Sequence, residues 1–233
     1  MTSRTGRLRG PVRALSFDAY GTLLQGGTDD LVTLLDGVRA RHNLPLTTKD
    51  LLREREGLIA RLDEMPFLNM SARDRWILST LFERHGIKED VEPHVRALHQ
   101  AHLDVVPYPG IPEALKALDL LPRVLVTNAD VDMMDHVLKR TGLRFDAVVT
   151  SESVQAYKPT PILFTTALKH VGVPPGEVLH VGDSFVADIV GAARAGMQTC
   201  WVTKPTGLPK REGETVQPDL TVGSVAELPA LLR

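Results

Sequence analysis

Four short segments of the chain carry side chains suited to chemistry. In Phe17-Asp18-Ala19-Tyr20-Gly21-Thr22-Leu23, a carboxylate follows an apolar run, and Gly21 permits a sharp turn with little side-chain obstruction. Val126-Thr127-Asn128-Ala129-Asp130 ends a second apolar run with a hydroxyl and an amide, groups that bond phosphoryl oxygens. In Tyr157-Lys158-Pro159-Thr160-Pro161, two prolines stiffen a loop that presents a cation able to neutralise an anion or a carboxylate pair. His180-Val181-Gly182-Asp183-Ser184, with Asp188 beyond it, offers two carboxylates at a strand end, an arrangement that suits a hard divalent cation such as Mg²⁺.

Each segment also has a plain structural reading. Asp18, Asn128, Asp130 and Asp188 serve equally well as helix or turn caps. Lys158 alone reads as a solvated surface lysine, and His180, inside a strand pattern, as a satisfied core histidine. Arg53, Arg55, Arg61, Arg73 and Arg75 read as solvated helix faces. Cys200, in Thr199-Cys200-Trp201-Val202, reads as a small buried hydrophobe.

The elements that must position these residues follow from hydrophobic periodicity. Short apolar runs predict strands over Val12–Phe17, Arg123–Thr127, Asp146–Thr150, Glu177–Val181 and Gln198–Val202. Helical spacing predicts Ile111–Leu121, Val131–Thr141, Pro161–Val171 and Val186–Ala195 between them. That alternation is the pattern of a parallel α/β sheet, whose functional loops lie at the carboxyl ends of its strands. From Asp29 to Asp104 no strand pattern appears; Leu31–Arg41, Lys49–Leu62, Ala72–His85 and Pro93–His102 are amphipathic and helical. The expected organisation is a Rossmann-like, three-layer α/β core formed by 1–28 and 105–233, with a helical cap, 29–104, inserted after the first strand. An insert there would hang over the carboxyl edge of the sheet, where a lid belongs.

Composition narrows the function classes. The 233 residues carry 27 Lys+Arg and 29 Asp+Glu, a formal charge of −2, with 43% hydrophobic and 24% charged residues. This is globular composition, and a chain of this size buries about 70% of its unfolded surface without disulfide or structural metal. The near-neutral balance argues against nucleic acid or an anionic membrane as partner. No apolar run approaches the roughly 18 residues of a membrane span. The start, with Arg4, Arg7, Arg9 and Arg13 and no acid, reads as a frayed terminus rather than a secretory signal. The lone Cys200 excludes an internal disulfide, so a cytoplasmic setting is expected. Nothing in the sequence sets an oligomeric state.

Taken in order, Asp18-x-Tyr20-Gly21-Thr22, Thr127-Asn128, Lys158-Pro159 and Gly182-Asp183 with Asp188 resemble the haloacid dehalogenase-like hydrolase superfamily. The resemblance runs from about residue 12 to the C-terminus, where Pro218-Asp219 and Ser224–Leu232 look like the family's closing strand and helix, and the helical insert matches the family's cap position. It implies that Asp18 is the nucleophile, that Thr127 holds a phosphoryl oxygen with Asn128 assisting, and that Lys158 offsets charge. It also implies a Mg²⁺ site made by Asp18, the Tyr20 backbone carbonyl and Asp183, with Asp188 as ligand or as support. Phosphatases of the family place an aspartate where this chain has Tyr20, and a phenol with an ordinary pKa of about 10 donates a proton but is a poor base. Asp18-Ala-Tyr-Gly-Thr-Leu instead resembles the family's L-2-haloacid dehalogenases, which attack carbon without metal. Those enzymes, however, lack the Gly-Asp pair of the fourth segment and carry an aromatic-rich cap segment where this chain has Leu51–Leu62. The resemblance therefore implies a Mg²⁺-dependent phosphatase acting on a small phosphorylated metabolite. A metal-free dehalogenase using Asp18, or a catalytically weak phospho-ligand binder, is the alternative.

Overall fold

Runs of Val, Leu and Phe bounded by polar or glycine residues become strands buried on both faces. The computed structural model describes residues 5–26, 28–203 and 215–232. Its strands are β1 (Thr5–Gly6), β2 (Ala14–Phe17), β3 (Arg123–Thr127), β4 (Ala147–Thr150), β5 (Val178–Gly182), β6 (Gln198–Val202) and β7 (Leu220–Val222). They form one sheet in the order β1-β7-β6-β5-β2-β3-β4. β2 to β7 run parallel, and β1 adds to β7 antiparallel.

This order fixes where a site belongs. The chain moves outward from β2 through β3 to β4, then returns to build β5, β6 and β7 on the other side. The reversal puts β2 between β3 and β5, and the carboxyl ends of those three strands are the place where open α/β sheets bind ligands. Residues 18, 127 and 183 all lie at or just beyond these ends.

By compactness the chain divides into two units, Met1–Gln25 with Val106–Arg233, and Gly26–Val105. The second is helical: α1 (Thr28–Arg41), α2 (Thr48–Ile59), α3 (Met70–Arg84) and α4 (Glu92–Leu103). Thr47 and Asp50 form a reciprocal capping box that starts α2, and Asn69 accepts the Ala72 N–H to start α3. Leu35, Leu51, Leu58, Leu78, Leu81, Phe82 and Val95 close these helices around a core of their own. The first unit adds α5 (Ile111–Ala117), α6 (Val131–Thr141), α7 (Ser151–Val154) and α8 (Pro161–Val171), then α9 (Gly191–Arg194) and α10 (Leu228–Leu231). Its core sets Leu163, Phe164 and Ala167 of α8 against Val124, Val126 and Val149 of the sheet.

Three elements depart from the sequence reading. The Arg-rich start is not frayed over its described part: Thr5 and Gly6 pair with β7, and Arg9 donates to Asp219 and to the Met197 carbonyl. Arg4 lies outside the described residues. The expected helix Ile111–Leu121 ends at Ala117 and leaves Leu120 almost fully exposed. The expected helix Val186–Ala195 is a π-helical turn, Phe185–Val190, followed by α9. Among the described residues no helix is long and apolar enough to cross a membrane.

Burial separates tolerated from damaging truncations. Leu78→Ala, which removes a side chain 1% exposed, is expected to cost about 2–5 kcal/mol. Leu120→Ala is expected to stay within about 0.5 kcal/mol. Urea denaturation of the two variants beside the parent protein checks both.

Candidate active site

Asp18 is the first residue past β2, and its N–H donates to the Val181 carbonyl of β5 at 2.9 Å, which anchors the loop across the sheet. Its side chain is buried, and Oδ1 accepts from the Lys158 ammonium at 2.6 Å. Lys158 reaches this point from the loop before α8, and its peptide bond to Pro159 is cis. Far from being a solvated lysine, it is buried, and its ammonium donates to Asp18 Oδ1 at 2.6 Å, Asp188 Oδ1 at 2.6 Å and the Val126 carbonyl at 3.0 Å. Those bonds use all three donors of the ammonium.

Asp188 projects from the π-helical turn that follows β5. Its Oδ2 accepts the Ser184 N–H at 3.0 Å, while Ser184 caps the turn by accepting from Ala187 N–H at 3.3 Å. Asp188 therefore acts as a brace for Lys158 and for its own loop, with both oxygens engaged. Asp183 is half-buried; its Oδ1 accepts from the Thr22 hydroxyl at 3.3 Å, and its carbonyl accepts from Trp201 Nε1 at 2.9 Å. The ligand atoms of Asp18, Asp183 and Asp188 all lie within 4.8 Å of one another.

Two glycines make this convergence possible. A Cβ on Gly182 would sit 2.3 Å from Asp188 Cγ and 2.4 Å from its Oδ2. Gly21 has φ +86, and a Cβ there would lie 2.4 Å from Asp183 Oδ2. A side chain at either position would push an acid out of the cluster.

The charges are unequal by design of their surroundings. Burial raises the Asp18 carboxyl, Lys158 opposes that shift, and the Asp188 charge reinforces it, leaving Asp18 above the usual carboxylate range. Burial also disfavours the Asp188 charge, yet Lys158 and the His180 ring outweigh it and hold Asp188 at about 2. Burial alone would lower Lys158, but the two carboxylates keep its ammonium fully charged, above its ordinary value. Asp18 Oδ2 is buried with no hydrogen-bond partner among the described residues. An orphaned, electron-rich oxygen beside two further carboxylates fits a hard divalent cation. One buried ammonium for two buried carboxylates leaves negative charge for such an ion to balance.

Thr127, at the end of β3, is buried beside Thr150 of β4. The Asn128 carbonyl oxygen accepts the Lys158 backbone N–H at 2.8 Å, so Asn128 holds the lysine loop. Tyr20 is half-buried, and burial together with the Asp18 and Asp130 charges pushes its phenol further up from its ordinary value. His180 is buried on β5. Arg53 and Arg75 of the helical unit are exposed and pair with Asp50 and Glu92, as solvated faces do. Arg55 and Arg73 are instead largely covered and pair with Glu56 and Asp74.

A sequence model described as haloacid dehalogenase-like hydrolase matches residues 12–196. The chain belongs to this family of hydrolases. The pyrimidine 5′-nucleotidase YjjG of Escherichia coli (strain K12) is 34% identical over 160 residues, 65% of this chain and 69% of that protein. N-acetylmuramic acid 6-phosphate phosphatase of Pseudomonas aeruginosa is 28% identical over 200 residues, 82% of this chain and 81% of its own length. Among solved structures, L-2-haloacid dehalogenase from Xanthobacter autotrophicus superposes with a TM-score of 0.73 at 25% identity, covering 95% of this chain and 98% of that one. The chain thus has sequence relatives of both reaction classes that the sequence raised.

The electrostatic arrangement has a direct consequence for stability. Lys158→Met leaves two buried carboxylates without their cation and is expected to cost about 3–5 kcal/mol at neutral pH. Without the lysine both carboxyls titrate above their unfolded values, so the variant's penalty is relieved as pH falls and protons replace the ammonium. In the parent protein the Asp188 contribution is held above pH 3.8 and lost as pH falls toward about 2. The difference between parent and variant should therefore narrow on acidification, as urea unfolding at pH 7 and near pH 4 would measure.

Proposed function

We propose that this hydrolase is a Mg²⁺-dependent phosphatase that acts on a small phosphorylated metabolite through Asp18. The observation that carries the reading is the convergence of Asp18, Asp183 and Asp188 around a buried, unpartnered Asp18 oxygen. Attack on carbon without metal has no need of this acidic set. Asp18, Asp183 and the Tyr20 backbone carbonyl are the residues that would hold the ion, with Asp188 behind them bracing Lys158. Bound Mg²⁺ would supply the positive charge that lets a carboxylate approach a phosphate dianion.

This chain's own residues do the rest. An Asp18 carboxylate oxygen attacks phosphorus, the ester oxygen departs as an alcohol, and an aspartyl phosphate remains on Asp18. The Lys158 ammonium, fixed by Asp188 and the Val126 carbonyl, offsets the charge of nucleophile and phosphoryl group. The Thr127 hydroxyl and the Asn128 amide nitrogen are assigned to phosphoryl oxygens, the Asn128 carbonyl being committed to the Lys158 N–H. Tyr20 stands where an acid/base aspartate is expected, and its raised phenol holds its proton throughout the neutral range. It donates to the leaving oxygen, regains that proton from solvent, and as a neutral phenol takes none from the attacking water, so hydrolysis of the aspartyl phosphate is the slow step. The helical unit Gly26–Val105 is assigned the role of a cap that selects the substrate.

Asp18→Asn and removal of metal with EDTA should each abolish phosphate release from a panel of sugar phosphates, nucleotides and phosphorylated acids. Phosphate release that survives both treatments would sink the reading. Tyr20 and the dehalogenase relatives favour a second reading, L-2-haloacid dehalogenation on the same Asp18. Chloride release from 2-chloropropionate in EDTA, with an inactive phosphate panel, would replace the first reading with that one.

Tyr20→Asp isolates the acid/base argument. It should raise phosphatase turnover by about 10²-fold, the lower end of what a positioned acid/base contributes. Steady-state kinetics with a folded variant check this, and an unchanged rate would refute it.

A further inference from the structure

Behind the Lys158 brace lies a buried polar pair that the reaction itself does not use. Ser16 of β2 and His180 of β5 are register partners in neighbouring parallel strands, and both are fully buried. The Ser16 hydroxyl lies 2.8 Å from His180 Nδ1. On the far side of the ring, Nε2 is 3.5 Å from Asp188 Oδ1, the same oxygen that accepts from Lys158. Nε2 has no hydrogen-bond partner among the described residues, and the edge of the ring arrangement is packed against Phe164 at 5.1 Å between centroids. The ring is thus held in place by packing and by one hydrogen bond, with its second nitrogen turned toward a carboxylate.

The position of the proton on that ring follows from electrostatics. A proton on Nδ1 alone would aim the Nε2 lone pair at the negative Asp188 oxygen inside a dry interior, where such repulsion is weakly screened. A proton on Nε2 makes the same approach attractive and leaves Nδ1 to accept from Ser16. We propose that Ser16 and His180 are positioning residues: the Ser16 hydroxyl donates to Nδ1, fixes the Nε2–H tautomer, and thereby points an N–H at Asp188. Asp188 is then restrained from three sides, by this N–H, by Ser184 N–H and by Lys158. Through Asp188 the pair sets where Lys158 places its charge against Asp18. The kinetic consequence rests on the phosphatase reading; the tautomer does not.

Two measurements separate these dependencies. Long-range ¹H–¹⁵N correlation spectra of the ¹⁵N-labelled, metal-free parent protein, with His180 assigned through backbone connectivities, report its tautomer directly. The expected result is a protonated Nε2 and an unprotonated, accepting Nδ1. A proton on Nδ1, alone or together with one on Nε2, would overturn the proposal without touching the phosphatase reading. Ser16→Ala should then lose the single-tautomer signature and lower kcat by about 10-fold, as is usual when support behind a site is removed, with KM within about twofold. Ser16→Thr, which restores a hydroxyl, should recover the Nε2–H signature. An unchanged tautomer and kcat in a folded Ser16→Ala protein would refute the positioning role. An inactive parent with the expected tautomer would refute only the phosphatase reading.

Discussion

One buried ammonium holds the centre of this protein together. Lys158 lies 2.6 Å from each of two carboxylates that arrive from different strands, Asp18 after β2 and Asp188 after β5. Placing those acids side by side in a dry interior is unfavourable unless a cation stands between them. Much of the neighbouring architecture serves that requirement. The Asn128 carbonyl fixes the lysine loop, the Val126 carbonyl takes the third ammonium proton, and Ser184 N–H holds the far oxygen of Asp188. Even the glycines conform to it, since a Cβ at residue 182 would collide with Asp188 itself.

A structure that spends its cation so fully leaves the third acid, Asp183, and the spare Asp18 oxygen facing the remaining charge problem. This asymmetry distinguishes the two acids of the fourth segment. Asp188 is committed to bracing, whereas Asp183 is half-buried and tethered through its backbone carbonyl to Trp201 and through one oxygen to Thr22. On the phosphatase reading, residue 20 would contribute only its backbone carbonyl to the ion, so a tyrosine there would alter proton transfer and leave the acidic cluster intact.

Much of this was legible in the chain. The strands at Arg123–Thr127 and Gln198–Val202 match their apolar runs, because segments buried on both faces carry an uninterrupted signal. Asp18, Thr127, Lys158 and Asp183 stood out because reactive side chains at strand ends have no role in packing. What escaped depended on partners distant in sequence. Thr5–Gly6 forms a strand only because β7 offers an edge, which no local pattern reveals. Asn128 looked like a phosphate ligand or a cap, yet its carbonyl is spent on a backbone N–H thirty positions away. Ser16 and His180 looked like ordinary strand residues; only the β2–β5 register sets them facing each other. The π-helical turn at Phe185–Val190 has the sequence pattern of plain helix because one extra residue in a turn leaves apolar spacing nearly unchanged.

The places where the chain leaves the sheet unit and returns to it have a consequence for how such a protein can change. Gln25 N–H donates to the Val106 carbonyl at 2.8 Å, and Tyr108 N–H donates to the Leu23 carbonyl at 2.9 Å. The exit and re-entry segments are therefore stitched together on their own, within the sheet unit. To that unit, everything from Gly26 to Val105 is a single loop with a closed neck. The entropy of closing a loop grows only with the logarithm of its length, so a longer, shorter or wholly different insert would burden the neck little. Chemistry anchored in the sheet and whatever is carried in the loop are free to evolve on separate schedules.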